Sequence, residues 1–293
     1  MRTQQIKADD GHKLGVRVFE SKGQARASVV IAAAMGVRQD FYAPFAQWLA
    51  AQGWRVFTFD YRGMGDSLPA GARLRGFQAD LHDWVRDYEA VIDLAHAERP
   101  KLPLLLLGHS LGAQLPGLLA NADKVSGLLC VAAGSGYWRE NTPRLRFVVP
   151  YFWFFVVPLA TRLCGYFPGR SLRMVGNIPA AAMLQWRRWC LHPRYGVGVE
   201  GEAARQRYAG VRFPVLALSI SDDEMMTLQG TRSLLGWYEN APREVRRIVP
   251  ADVDARRIGH FGPFKAEHEV GLWPLLQQSL AELLQRPVTL GQD

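Results

Sequence analysis

Leu104-Leu105-Leu106-Leu107-Gly108-His109-Ser110-Leu111-Gly112 is the stretch on which the reading of this chain turns. A short, wholly apolar run that ends in G-x-S-x-G reads as a buried strand turning sharply into a helix. Such a turn holds its serine in strained backbone geometry, with the hydroxyl at the carboxyl edge of a sheet. Gly108 and Gly112 are needed because a side chain at either place would collide with the neighbouring strand and helix. The pentapeptide alone should recur by composition in about one chain in ten. The apolar run before it and the small Ala113 after it are what mark Ser110 as a nucleophile.

Outward from this turn, the same rhythm of strand and helix repeats. Gln5 to Phe19 alternates weakly and predicts an edge hairpin. Ser28 to Ala34 is an apolar run broken by Met35-Gly36, and Asp40 to Gln52 carries apolar residues at helical spacing before Gly53. Trp54 to Phe59 is the next strand. Leu81, Trp84, Val85, Tyr88 and Ile92 then share one helical face. After the serine turn, Val125 to Ala133 and Val211 to Ser219 are strands, Thr227 to Tyr238 a helix, Glu244 to Val249 a strand, and Phe264 to Leu284 a last helix. Pro116 should kink the helix that follows Ser110 or cost it an intrahelical hydrogen bond. Alternation of this kind implies βαβ crossovers and an α/β fold: a mostly parallel, eight-stranded-type sheet with helices on both faces.

From about Tyr137 to Tyr208 the rhythm fails, and four of the nine tryptophans fall there. The expected organisation is a core of residues 1–136 and 209–293, with 137–208 inserted as a helical cap. Pro179 suits the start of a helix over Ala180 to Leu191. The run Phe147 to Leu159 contains two prolines and is too short to cross a membrane. Packing on the core is the favoured reading of that run. An amphipathic interfacial anchor flanked by Arg144, Arg146 and Arg162 is the lesser one.

The chain carries 35 Lys and Arg against 27 Asp and Glu, for a net charge of +8. The basic residues are scattered and no nucleic-acid-binding signature accompanies them, so no nucleic-acid partner is expected. Cys130, Cys164 and Cys190 are far apart, odd in number and without metal-ligand spacing. Neither a disulfide scaffold nor a metal site is expected. The polar stretch from Met1 to Lys13 shows no signal peptide, and a cytoplasmic protein is the default. Composition does not reach the oligomeric state.

A serine hydroxyl needs a base, usually His, itself oriented by a carboxylate. In such a sheet the three arrive in the order Ser, acid, His. His192, His260 and His268 follow Ser110. His192 lies in the cap stretch and His268 in the expected last helix, where a solvated role fits. His260, in the glycine-flanked Ile258-Gly259-His260-Phe261-Gly262 after the last strand, is the candidate base. Asp222 and Asp223 follow the strand Val215–Leu218; spacing favours Asp223, with Asp222 as the alternate acid. The oxyanion should meet the Leu111 amide and a second amide from Met35-Gly36-Val37, for which Val37 is the candidate.

Ala34-Met35-Gly36, Phe59-Asp60-Tyr61-Arg62-Gly63-Met64-Gly65-Asp66-Ser67, Gly108 to Gly112 and Gly259-His260 together resemble the α/β-hydrolase superfamily. More narrowly, the pattern is similar to its serine aminopeptidase-like and monoglyceride-lipase-like branch. The resemblance spans nearly the whole chain and implies a cofactor-independent serine hydrolase in which the Asp60–Ser67 loop is structural. Met35-Gly36 stands where many relatives have His-Gly. The leading function is cleavage of a small-molecule carboxylic ester with a hydrophobic group, which the aromatic cap would bind through buried area. Thioester or amide hydrolysis, acyl transfer, or non-catalytic small-molecule binding remain as alternatives. Glu140 is the only acid between Tyr137 and Gly198, which argues against a substrate with a free ammonium.

Overall fold

In the computed structural model, which describes residues 1–286, the alternating runs assemble into one eight-stranded sheet with helices packed against it. Residues 287–293, part of the expected core span 209–293, lie outside the described residues. The elements in chain order begin with the hairpin β1 (Arg2–Lys7) and β2 (Lys13–Phe19), followed by β3 (Ser28–Ala32), α1 (Ala43–Ala51) and β4 (Arg55–Phe59). Then come α2 (Leu81–Glu98), β5 (Leu104–His109), α3 (Leu111–Gln114) and β6 (Gly127–Val131). A long insertion carries α4 (Pro143–Tyr151), α5 (Val157–Cys164), the two-residue strands β7 (Tyr166–Phe167) and β8 (Ile178–Pro179), α6 (Ala180–Leu191), α7 (Tyr195–Glu200) and α8 (Glu202–Gly210). The chain closes with β9 (Val215–Ile220), α9 (Leu228–Gly236), β10 (Arg243–Ile248) and α10 (Leu272–Gln285).

The sheet order is β1-β2-β4-β3-β5-β6-β9-β10. β1 and β2 are antiparallel, β2 meets β4 antiparallel, and every other pairing is parallel. Strands β3, β4, β5, β6 and β9 are buried along their full length. A parallel strand covered on both faces has no solvent side, which is why these segments read as continuous apolar runs. Each leucine of β5 contributes about 1.5–3 kcal/mol by leaving water. From β3 the chain steps outward to β4, then crosses to β5 on the other side. The loops after β3 and β5 therefore diverge at the switch point, where such sheets open a crevice.

Two stretches show how local chemistry fixes these elements. Asp80 accepts hydrogen bonds from the His82 and Asp83 amides, and the Asp83 side chain answers the Asp80 amide. This reciprocal cap starts α2, whose Leu81, Trp84, Val85, Tyr88 and Ile92 are buried as the helical spacing predicts. The loop after β4 is held by buried ions. Asp60 accepts from the Gln39 and Asp66 amides, while Arg62 is clasped by Asp87 and Asp10. Burial pushes the Asp87 carboxyl up to about 6, against the pull of Arg62. These contacts give Asp60 and Arg62 a structural part, as the resemblance implies.

Several boundaries differ from expectation. The last helix begins at Leu272, not Phe264; residues 262–264 and 266–268 form separate single turns. His268 is consequently not on that helix, and it is buried rather than solvated. Pro116 ends α3 after four residues, and a 3-10 turn follows. The run from Phe147 to Leu159 is not broken by its prolines, and it packs on the molecule along one side only, through Val149, Trp153 and Val157. Residues 143–164 form a continuous 22-residue helix, with an 18-residue stretch of mean hydropathy 1.6 of which 22% is buried. A π turn at Phe152–Val156 absorbs Pro158. In that register the Val157 amide serves the Phe152 carbonyl, and Pro158 has no N–H to offer Trp153. The Arg187 guanidinium donates to the Trp153 carbonyl instead.

Arg62→Ala would leave Asp87 buried without its counter-ion. Urea unfolding should show a loss of about 3–5 kcal/mol, and an unchanged midpoint would refute this account of the loop.

Candidate functional site

Gly108 and Gly112 explain why Ser110 stands where it does. A Cβ on Gly108 would lie 2.4 Å from the Ala113 Cα, and one on Gly112 would lie 2.1 Å from the Ala32 carbonyl oxygen. Only bare backbone lets α3 pass this close to β5 and β3. The price is taken at Ser110, which is held at φ 52° and ψ −113°. That conformation is sparsely populated for any residue with a side chain. The Ser110 amide is anchored to the Val131 carbonyl at 3.1 Å, and its hydroxyl caps no helix amide.

His260 follows Gly259, whose φ of +65° turns the loop inward. Its Nδ1 lies 2.8 Å from Asp223 Oδ2, and both side chains are almost wholly buried. The other Asp223 oxygen accepts from the Met225 and Met226 amides. The carboxylate is thus oriented by two donors before it meets the imidazole. Asp222 points elsewhere: its oxygens accept from the Ile258 and Gly259 amides at 2.9 and 3.0 Å. The two aspartates therefore part company. Asp223 meets the ring and Asp222 holds the loop that carries it. Among the described residues no hydrogen bond joins Ser110 Oγ to the His260 ring. The serine follows His109, whose ring centroid is 5.1 Å from that of His260.

The loop after β3 departs from expectation. The Val37 amide donates to the Ala34 carbonyl at 3.0 Å, so it is committed to closing the turn and is not a free donor. Gly36, at φ +71°, closes the same turn. Among the described residues the Met35 amide donates to no protein group, and the Leu111 amide opens α3 without an intrahelical acceptor. Among the described residues the Gly36 amide in the same turn and the Gly112 amide in α3 likewise donate to no protein group, so Met35 and Leu111 are two of several unengaged amides in these facing loops. Met35 was visible in Ala34-Met35-Gly36, yet nothing in that triplet says which amide closes the turn.

A buried histidine joins these parts. Ala34 N–H donates to Tyr42 Oη at 2.9 Å, Tyr42 Oη is 2.7 Å from His109 Nδ1, and His109 Nε2 is 3.0 Å from the His260 carbonyl. Burial, and the neighbouring His260, hold the His109 imidazole well below the ordinary histidine range, so it is neutral.

The insertion meets the sheet's carboxyl edge on both sides of this constellation. Gly176 N–H donates to the Gly36 carbonyl, Thr142 Oγ1 to the Glu224 carbonyl and Thr227 Oγ1 to the Glu140 carbonyl. Tyr195 Oη donates to Gln114 Oε1 on α3, and Trp186 Nε1 donates to Tyr195 Oη. Beneath α4 is an apolar cavity of about 190 Å³, lined by Leu145, Val149, Phe152, Trp153, Trp186 and Met226. Among the described residues no group of three or more His, Cys, Asp or Glu is placed to hold a metal ion.

With this geometry in hand, the relatives are informative. The family model for serine aminopeptidase S33, Hydrolase_4, matches residues 23–169, half of the chain. Human monoglyceride lipase is 32% identical over 111 residues, 38% of this chain and 35% of that protein. The monoacylglycerol lipase of Mycolicibacterium smegmatis is 34% identical over 102 residues, 35% of each. The matched stretch thus spans about a third of the length of these relatives. A soluble variant of monoglyceride lipase from Saccharomyces cerevisiae, solved with a substrate analogue, superposes with a TM-score of 0.69 at 16% identity. It covers 96% of this chain and 95% of that one, a likeness of fold.

Ser110→Gly should relieve the backbone strain and raise stability by about 1–3 kcal/mol, read as a higher urea midpoint. Ser110→Ala keeps a Cβ and should not. Equal midpoints for the two variants would remove strain from the account.

Proposed function

The chain belongs to the serine aminopeptidase S33 family of α/β hydrolases, and we propose on that premise that it is a serine hydrolase cleaving carboxylic esters of hydrophobic acyl groups or alcohols. The observation that carries the reading is the buried 2.8 Å contact of His260 Nδ1 with Asp223 at the rim that presents Ser110. Asp223 keeps the ring proton on Nδ1, leaving the Nε2 lone pair to accept the Ser110 proton as Oγ bonds the acyl carbon. The amides of Leu111 and Met35 hold the oxyanion. Collapse of the tetrahedral species expels the alcohol, which takes the proton from His260. Water, deprotonated by His260, then adds to the acyl-enzyme; the acid leaves and Ser110 regains its hydrogen. Asp222 acts only through the loop it holds.

Residues 137–208 are the cap in this reading, and the apolar cavity beneath α4 is the acyl site. The glycerol esters named for the relatives suit it in chemistry. A free ammonium does not: Glu140 is the only acid from Tyr137 to Gly198, and the hydroxyls of Ser135 and Ser233 both donate to it.

A lipid surface is the second partner we propose. Along the 143–164 helix, Phe147 is 86% exposed and Tyr151, Phe155 and Leu163 are each 64% exposed, spaced so that they share a face. Exposed Arg144, Arg146 and Arg162 lie among them. Val149, Trp153, Val157 and Thr161 on the opposite side are buried against the molecule. A helix fixed along one side suits lying in an anionic interface, with its apolar ridge inserted and its arginines at the headgroups.

With p-nitrophenyl esters, Ser110→Ala should abolish turnover and Asp223→Asn should lower kcat by about 10⁴-fold. Asp222→Asn should cost far less. Equal losses in the two aspartate variants, or an active Ser110→Ala, would overturn the triad. On anionic liposomes at low salt the protein should co-sediment, and the combined Phe147→Ser, Phe155→Ser variant should stay in solution. Equal partition of the two would reject the interfacial helix.

A further inference from the structure

We propose that His109 and Tyr42 are positioning residues for this hydrolysis: one neutral imidazole ties the oxyanion loop, the nucleophile turn and the base loop into a single hydrogen-bonded relay. The inference rests on the serine-hydrolase reading. It assigns a part to the variable residue of G-x-S-x-G, for which the triad itself has no use.

The chemistry of the two ends sets the direction of every bond. A backbone N–H can only donate, so Ala34 donates to Tyr42 Oη at 2.9 Å. A carbonyl can only accept, so the His260 carbonyl must accept a hydrogen bond from the His109 Nε2–H at 3.0 Å. His109 Nδ1 is then a lone pair, and Tyr42 must give it the hydroxyl proton across 2.7 Å. One tautomer satisfies all three bonds. A protonated His109 would turn an N–H towards Tyr42 and leave the hydroxyl proton without an acceptor. The Phe261 and Phe264 rings pack against the imidazole, with centroids at 5.7 and 5.0 Å, which keeps competing water from the relay.

Apart from Tyr42, each participant is one peptide from the chemistry or belongs to it. Ala34 precedes Met35, whose amide is unengaged; His109 precedes Ser110; and the carbonyl at the far end is that of His260 itself. The three loops come from the ends of β3, β5 and β10, far apart in sequence. Asp223 aims the His260 ring, and among the described residues the relay is the hydrogen-bonded path from the His260 backbone to the loop that bears Met35. A shift of the relay moves the oxyanion donor and the base relative to Ser110 together, and reaction rates are steep in such distances.

The test combines a spectroscopic readout that needs no substrate with kinetics normalised to active Ser110 by fluorophosphonate titration. Long-range ¹⁵N correlation spectra of the full chain should show His109 as the neutral Nε2–H tautomer at neutral pH, and still neutral where an ordinary exposed histidine has taken up its proton. In Tyr42→Phe, kcat should fall about tenfold, the cost of one relay bond, with KM changed by less than about twofold. His109→Phe should lose at least as much, His109→Gln should recover part of it, and Tyr42→Phe added to His109→Phe should cost nothing further. Leu283→Ala, on α10 and outside the relay, should lower Tm without moving kcat. An Nδ1–H or cationic His109 in the wild type would overturn the proposal. So would wild-type kcat in Tyr42→Phe, or losses that multiply in the double variant. If His109→Phe does not fold, the tautomer and Tyr42→Phe still decide. A wild type that hydrolyses no ester would instead remove the reaction itself, with the tautomer measured separately.

Discussion

Two backbones meet at Gly112, where a Cβ would sit 2.1 Å from the carbonyl oxygen of Ala32. That approach can be made only by a helix that starts immediately above β3 and β5, and such a start forces the preceding residue into a left-handed bend. Ser110 takes the bend at φ 52°. From it follows the unengaged first amide of α3. The room at the rim for a histidine arriving from the end of β10 follows as well. Strain here is local and is compensated by the surrounding parallel strands, whose side chains are buried on both faces.

Around that bend the polar groups are few, buried and paired in a definite sense. Asp223 is satisfied by two amides before it meets His260. Asp222 spends both oxygens on the backbone of the histidine loop. His109 bridges Tyr42 and the His260 carbonyl. In a region screened from water an unmade bond of this kind costs more than a made one contributes. The network therefore specifies positions more than it adds stability. Among the described residues it leaves the amides of Met35 and Leu111 without an acceptor, together with those of Gly36 and Gly112, and the proposed hydrolysis draws its oxyanion donors from this set.

The insertion follows a different logic. One side of the 143–164 helix is packed with Val149, Trp153, Val157 and Thr161, and the other offers Phe147, Tyr151, Phe155 and Leu163 to solvent. Pro158 survives within it because a π turn hands the carbonyl of Trp153 to Arg187. A helix so constructed has two apolar faces and one covering. The second face sets this segment apart from the sheet, where apolar surface is matched on both sides.

Much was legible in the chain itself: the sheet, its strand rhythm, the strained serine and the spacing of Asp223 and His260 all followed from periods of apolar residues and from glycines that only close packing demands. Those features are local, encoded within a few residues of where they act. The rest depended on partners distant in sequence. That Val37 closes its own turn and Met35 does not, that Asp222 serves the backbone and Asp223 the ring, and that Tyr42 reaches His109 are decided by which loops fold against one another. The same is true of His268, which is buried in a single turn ahead of the last helix, its ring close against Gly262. It is true again of the 143–164 helix, whose prolines read as breaks until a guanidinium from α6 satisfied the freed carbonyl. Sequence determines which residues want burial or a bend. Only the tertiary structure decides which hydrogen-bond donor is used and which is left over, because a donor's availability is a property of its neighbours in space.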